Sequence, residues 1–428
     1  MKISSFHLKN ISFIWTFTLI VSVLGFVNQY LLTKIFSIDD FGLFSSVNSF
    51  INLLMPFAVF GIPSLWLKIF GEYGGGGRSW ILPSLKVGLI LASFSIILTS
   101  TWAFLGPNDI PTTKTLIILS FLYPINVIVN FVCSKVQLEE KYLLFSIYSA
   151  LLKSSRFLII ILLYFYANEI KPSNLAFLYV FGGIIVLIIL IRHIKELFRV
   201  KIFLPRHPLK FNTPKSEITM LTVVKESWSF GFAGVLYLAW SQGHIIISKY
   251  KFGNTEAGIY SIVILIMMAI NIFPTTLFSR YLLPKIHEYF YHDKKKLINF
   301  YKKGNLYLFM VGVLVAFLLF YSSDFLISFL DENYASSAQL LKLSSLIIPF
   351  RFMGLNPGTL MTTGNFLFIK NKALLIVAFL NITIAILMPH EYGLKGLIIL
   401  ILTSEVTLFT FYHIYIKYNF LKHEYNSS

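Results

Sequence analysis

Apolar stretches of 18 residues or more recur along the whole chain, and no other feature limits its fold so strongly. A run of that length crosses a ~30 Å hydrocarbon core as a helix, because about 20 residues rise 1.5 Å each. Lipid offers no partner to backbone polar groups, so a spanning segment is a helix or part of a closed barrel. Long unbroken runs, rather than ten-residue alternations, select the helix. Composition agrees, with 56% hydrophobic and 13% charged residues against roughly 25% charged in soluble proteins. A large soluble catalytic domain is excluded. The single cysteine, Cys133, excludes a disulfide framework. Lys2 and Lys9 precede an apolar run too long for a signal-peptide core, so no cleavable leader is expected.

The apolar runs lie near residues 11–33, 41–66, 80–105, 114–134, 142–167, 173–192, 227–249, 256–280, 303–323, 336–363, 372–389 and 392–416, which predicts twelve transmembrane helices. Pro349 and Pro357 interrupt the tenth. Lys and Arg are retained on the cytoplasmic side of short loops. With the N-terminus placed inside, 26 of the 36 basic residues fall on the cytoplasmic side and seven on the other; Lys153, Arg156 and Arg351 fall within spans. Both termini are therefore expected in the cytoplasm. This asymmetry also accounts for the net charge of +17 without nucleic acid. The basic stretches 192–225 and 285–303 suit anionic lipid headgroups instead.

The longest connection is polar, holds Pro205, Pro208 and Pro214, and reads as a linker. It divides the chain into a six-helix lobe at 1–192, a cytoplasmic linker at 193–225 and a second six-helix lobe at 226–428. Asp40-Phe41-Gly42-Leu43-Phe44-Ser45 after the first span corresponds to Glu256-Ala257-Gly258-Ile259-Tyr260-Ser261 after the seventh. Six spans is an even number, so the halves insert the same way up. The expected fold is all-α, two halves related by a pseudo-twofold axis along the membrane normal. Such proteins place the substrate path between their halves. Pro56, Pro63, Pro124, Pro274, Pro284, Pro349 and Pro357 can bend spans, since neighbours or a cavity re-satisfy the freed carbonyls.

A charge at mid-bilayer costs on the order of 2.5–3.5 kcal/mol even on the lenient insertion scale, so each one asks for a role. Lys153 and Arg156 lie roughly 16 and 21 Å along the fifth span, three residues apart and thus on one face. Both are too central to snorkel easily. They read either as cavity cations or as caps on buried carbonyls. Arg351 and Glu405 lie near the middle of the tenth and twelfth spans, and Glu405 is the one acid expected in any span. Glu405 reads as a carrier of H+ or Na+, or as half of an ion pair with Arg351. Asn28, Gln29, Gln242 and Asn271 are candidate polar lining, although most such residues make helix–helix hydrogen bonds. His244 reads the same way. Lys34 and Lys249 read as an outer basic rim or as snorkelling lysines.

The glycine-rich run Gly71-Glu72-Tyr73-Gly74-Gly75-Gly76-Gly77-Arg78 lacks the Lys-Ser/Thr of a nucleotide loop and reads as a tight turn. Without an ATP site or other cofactor, transport would draw on an H+ or Na+ gradient or on the substrate's own. The nine His and one Cys show no metal-ligand spacing, and no long outward loop carries a catalytic set. An enzyme is not expected.

Order and spacing then resemble a known family. Ser37-Ile38-Asp39-Asp40-Phe41-Gly42-Leu43-Phe44-Ser45, Gly61-Ile62-Pro63, Thr255 through Ser261, Pro274, Leu283-Pro284-Lys285-Ile286, Tyr334-Ala335 and Tyr392-Gly393-Leu394-Lys395-Gly396 together resemble the polysaccharide-transport branch of the multidrug/oligosaccharidyl-lipid/polysaccharide exporters, and within it the Wzx-type O-antigen flippases. The resemblance covers essentially the whole chain. It implies a multi-pass protein of the bacterial cytoplasmic (inner) membrane. Its substrate would be an oligosaccharide repeat unit of O-antigen or capsule type, linked to undecaprenyl diphosphate and moved to the periplasmic leaflet by alternating access. Membrane lipids, an O-antigen polymerase and a chain-length regulator are the implied partners. Lys153, Arg156 and Arg351 would be counterions to the diphosphate. The lipid II flippase branch carries an Arg-Asp pair in its first span, where this chain has Asn28 and Gln29; lipid II is therefore not the expected substrate. The alternatives are an ion-coupled multidrug exporter of the same architecture and a membrane O-antigen polymerase or ligase.

Overall fold

A computed structural model of the protein describes residues 23–166, 170–204, 217–283, 286, 289–290, 293–363 and 366–418. The start of the expected first span, residues 205–216 of the expected 193–225 linker and the Pro284-Lys285 pair lie outside them. The described residues are helical almost throughout. They form two compact units, Met1–Leu238 and Ala239–Ser428; the boundary falls within one helix, Met220–Phe252.

The first unit holds α1 (23–35), α2 (Ile38–Val59), α3 (Ile62–Tyr73), α4 (Ile81–Leu105), α5 (Ile110–Ser120), α6 (Leu122–Leu138), α7 (Tyr142–Tyr166), α8 (Pro172–Ile189) and α9 (Ile191–Phe198). The N-terminal part of α10 (Met220–Phe252) completes it. The remainder of α10 begins the second unit. There α11 (Asn254–Thr276), α12 (Lys294–Ser328), α13 (Ser336–Ser345), α14 (Ile347–Leu360), α15 (Phe366–Leu387) and α16 (Gly393–Ile416) follow.

Among the described residues, eight helical stretches are long and apolar enough to cross a membrane, or up to ten if each of two bent pairs counts as one span. The expected first span begins outside the described residues, and two other expected spans are joined. One stretch, Ile38–Leu105, runs for 68 residues, or roughly 100 Å at helical rise, and holds the expected second and third spans. It folds back through the 3-10 turn Gly74–Trp80, so that α2 packs on α4 with Phe50 stacked on Trp102. The glycine-rich run is thus a tight turn. The tenth span is α13 and α14, bent by 46°.

Proline sets the breaks between α5 and α6 and between α13 and α14. Pro124 and Pro349 have no N–H to offer the carbonyl four residues back, and α5 and α13 end at those residues, Ser120 and Ser345. The turn between α2 and α3 uses Phe60 and Gly61 with φ of 50° and 66°. A Cβ on Gly61 would lie 2.7 Å from the Gly231 backbone nitrogen, so that position requires glycine.

Without a hydrophobic force between helices in lipid, close packing depends on small residues. Gly88 lets α4 meet Phe131 of α6, Gly182 lets α8 meet Ile159 of α7, and Gly312 lets α12 approach the Pro349 backbone. Large apolar side chains such as Phe104, Phe165 and Ile188 stay exposed on the outside, as lipid-facing residues do.

At one end of the first unit, Lys135 and Glu139 are buried and 2.8 Å apart, and Lys135 also meets Glu196 of α9 at 2.8 Å. Lys141 closes on Glu139 at 2.6 Å, and Arg78 donates to the Ile202 carbonyl. Hydrogen bonding from Lys135 pulls the Glu196 carboxyl down to about 2, against the opposing effect of burial. Burial would raise Glu139, but its bonds from Lys135 and Lys141 outweigh that and hold it below the usual range. Groups lowered in the folded state stabilise it above their unfolded pKa of about 4.3 and lose that contribution as pH falls toward the folded value. Lys135→Met leaves the buried Glu139 carboxylate with the partly exposed Lys141 as its remaining ion-pair partner, so it should lower stability by an amount at the lower end of about 3–5 kcal/mol near neutrality. Thermal unfolding in detergent should show that gap narrowing between pH 6 and pH 3. A gap that stays constant would contradict this reading.

Candidate functional site: two buried cation clusters

In the first unit, α7 carries Lys153 and Arg156 near its middle. Gly182, on the same face of α8 as Tyr179 and one turn on, lets the two helices approach. Arg156 consequently lies over the Tyr179 ring, 5.1 Å from its centroid, in cation–π geometry. Tyr179 is buried. Its hydroxyl accepts a hydrogen bond from Asn28 Nδ2 of α1 at 3.3 Å, and Phe44 of α2 packs edge-on against its ring. Asn28 Oδ1 is buried and has no hydrogen-bond partner. Four helices thus meet at Tyr179, and the guanidinium that rests on its ring is half-buried and has no carboxylate within ion-pair distance among the described residues. Lys153 has none either, and its side chain is exposed. Gln29 is half-buried nearby on α1, while Lys34 is exposed with its ammonium near the Tyr30 ring.

The cation of the second unit is built differently. Arg351 of α14 meets Glu405 of α16, Nε to Oε1, at 2.5 Å, and its guanidinium lies 5.6 Å from the Trp240 ring centroid on α10. Tyr260 of α11 is fully buried within electrostatic reach of Arg351. His244 lies edge-on to Tyr260 and faces Asn381 of α15. Asn381 donates to the Leu400 carbonyl at 2.8 Å and to Ser404 Oγ at 2.5 Å. Trp240 Nε1, the Tyr260 hydroxyl, both His244 nitrogens and Asn381 Oδ1 close no hydrogen bond of ordinary length. This cluster is therefore polar, buried and under-satisfied. No group of three or more His, Cys, Asp or Glu side chains able to hold a metal occurs among the described residues.

Of the other expected lining residues, Gln242 and Lys249 lie on α10 and Asn271 on α11. Asn271 donates to its own helix, at the Met267 carbonyl, and Gln242 is half-buried. Lys249 places its ammonium near the Tyr250 ring. Its neighbour Lys251 instead reaches the carbonyls of Ala385, Ile386 and Met388 at the end of α15, where cation and helix dipole agree.

A family model described as "Polysaccharide biosynthesis protein" matches residues 7–290, more than half of the chain. The chain belongs to the polysaccharide biosynthesis protein family. No curated protein matches it by sequence. Among solved structures, it is similar to an inward-facing multidrug resistance MATE family transporter of the MOP superfamily, at 12% identity and a TM-score of 0.70 over 95% of this chain and 96% of the other. It is also similar to the lipid II flippase MurJ in an inward closed conformation, at 15% identity and 0.68 over 94% and 87%. A MOP superfamily transporter from Pyrococcus furiosus matches at 11% and 0.55 over 95% and 92%. At these identities the likeness is one of fold. This family member is a multi-pass membrane protein whose fold is similar to those of the MATE transporter and MurJ.

Sequence reasoning singled out Arg156, Asn28, Arg351 and Glu405 but missed what joins them. Tyr179 and Tyr260 look like ordinary aromatic residues of apolar spans, and only the helix approach allowed by Gly182 reveals the first as a cation platform. Glu405→Gln in this polysaccharide biosynthesis family member would strand Arg351. Since Arg351 is partly accessible, the expected loss sits at the lower end of about 3–5 kcal/mol, and Arg351→Met combined with Glu405→Leu should recover most of it. Thermal unfolding of the three variants in detergent checks this; a double variant no more stable than Glu405→Gln would rule out simple pairing.

Proposed function

We propose that this protein is a flippase for undecaprenyl-diphosphate-linked oligosaccharide repeat units, of O-antigen or capsule type, moving them from the cytoplasmic to the periplasmic leaflet by alternating access. The observation that carries the reading is Arg156, a mid-span guanidinium resting on Tyr179 with no carboxylate paired to it among the described residues. A diphosphate brings at least two negative charges into a low-dielectric region and needs fixed cations there. Arg156 supplies a planar donor fork suited to phosphate oxygens, and the exposed Lys153 one turn away adds a second charge. Tyr179, held by Phe44 and Asn28, seats that guanidinium. Family membership in polysaccharide biosynthesis supports the substrate class, and MurJ supports the compatibility of this fold with a lipid-linked cargo.

In this reading Arg351 and Glu405 form the coupling element, exchanging partners when H+ or Na+ reaches Glu405. The rival reading, an ion-coupled multidrug exporter, draws on the MATE likeness. A cationic drug needs a carboxylate ready to receive it, and Glu405 is already neutralised by Arg351. A polymerase or ligase has less support, since every structural relative named above is a transporter or flippase. The inner-membrane location and the contacts with a polymerase and a chain-length regulator belong to the same proposal.

Hydrogen bonds to charged groups contribute about 1.5–3 kcal/mol, which corresponds to ~10- to 150-fold. Deleting the gene should make undecaprenyl-diphosphate-linked single repeat units accumulate while surface glycan disappears, read by lipid extraction and mass spectrometry. Arg156→Ala, expressed normally, should restore little of the glycan. Full-length surface glycan in the deletion strain, with no accumulated intermediate and no redundant flippase, would overturn the proposal and favour the drug exporter.

A further inference from the structure

At the start of α12 a cavity of about 430 Å³ is lined by Tyr289, Lys296, Asn299, Phe300, Lys303 and Tyr307, within the range of roughly 300–1,000 Å³ that small-ligand pockets occupy. Its position is set by charge. Lys303 is the last charged residue before the uncharged run 304–323, so the cavity lies where α12 passes from water into hydrocarbon. The lining residues of α12 share one helix face, and that face continues without a break. Steps of four and three residues lead from Lys296 through Phe300, Lys303 and Tyr307 to Met310, Leu314, Phe317 and Tyr321. From Tyr307 onward these side chains are 57–68% exposed. The stripe beyond Lys303 extends for roughly 27 Å, about the thickness of a hydrocarbon core. A basic, aromatic-walled pocket therefore opens directly onto an exposed apolar stripe of membrane length.

We infer that this face of α12 binds one anionic glycerophospholipid, its phosphodiester in the pocket between Lys296 and Lys303 and an acyl chain along the stripe below. Charge complementarity selects the headgroup. Lys296 already meets Asp293 at 2.9 Å, and Lys303 brings a second ammonium to the same pocket, a pair of donors suited to a phosphodiester. Asn299 and Tyr307 offer polar groups to a glycerol or similar headgroup, and Phe300 and Tyr289 wall the glycerol backbone. The inference is independent of the flippase proposal and concerns a lipid that stays at the protein rather than one that is carried.

The test is native mass spectrometry of the full-length protein in detergent, titrated with phosphatidylglycerol, phosphatidylcholine, undecaprenyl diphosphate and inorganic phosphate. Lys296→Gln/Lys303→Gln is compared with Lys295→Gln/Lys302→Gln, which removes the same charge at the same spacing from another face of α12. Phosphatidylglycerol should bind more tightly than phosphatidylcholine, and the first variant should lose about 10- to 30-fold in affinity for it. The second variant should stay within about 2-fold of the wild type, as expected for charges off the binding face. Equal losses in both variants, or equal binding of the two phospholipids, would overturn the inference in favour of general surface attraction. Displacement by inorganic phosphate alone would assign the pocket to free phosphate, and preference for undecaprenyl diphosphate would assign it to the substrate; either also overturns it. Circular dichroism confirms that the variants fold, and no transport readout enters.

Discussion

A guanidinium halfway along an apolar helix is the costliest feature this chain tolerates, and much of the first unit is arranged around it. Arg156 lies 14 residues into the 25-residue α7, far from either end, where a cation is unfavourable by about 2.5–3.5 kcal/mol on the lenient scale. Tyr179 offsets part of that through its ring, a contribution of about 0.5–2 kcal/mol. The Tyr179 hydroxyl is held by Asn28, its ring by Phe44, and its helix by the close approach at Gly182. A structural cation would be expected to acquire a carboxylate, as Lys135 does with Glu139 and Glu196 in the same unit. Arg156 has none among the described residues. The residual deficit is what a transient anionic ligand would relieve.

The two units thus handle an interior cation in different ways. In the second, Glu405 neutralises Arg351 directly, and Trp240 takes the place that Tyr179 has in the first. What remains under-satisfied there is neutral: an indole N–H, a phenol, an imidazole and an amide oxygen. A half-satisfied polar network is poorly suited to pure scaffolding and well suited to a segment that changes partners. The division of labour proposed above, anion contact in one unit and coupling in the other, follows from that asymmetry.

Much of this was legible in the sequence because hydrocarbon makes charge conspicuous. Lys153, Arg156, Arg351 and Glu405 stood out from apolar runs, and the pairing of the last two followed from one acid and one base at matching depth. Pro124 and Pro349 announced breaks, though the break falls four residues back, where the carbonyl loses its donor. Other features left no such mark. Tyr179 and Tyr260 are aromatic residues among many. The Lys135, Glu139 and Glu196 network joins residues 61 positions apart in segments that read as ordinary polar loops.

The central claim is that Arg156 is a counterion for a lipid-linked diphosphate. Its most direct test is the affinity of the purified protein for undecaprenyl diphosphate and for undecaprenyl monophosphate, measured for the wild type and for Arg156→Met, which keeps the length and apolar stem. The account predicts a wild-type preference for the diphosphate and a loss of about 10- to 150-fold in diphosphate affinity in the variant, with the preference largely abolished. Equal affinities for the two lipids, unchanged by Arg156→Met, would contradict it and return Arg156 to a structural role.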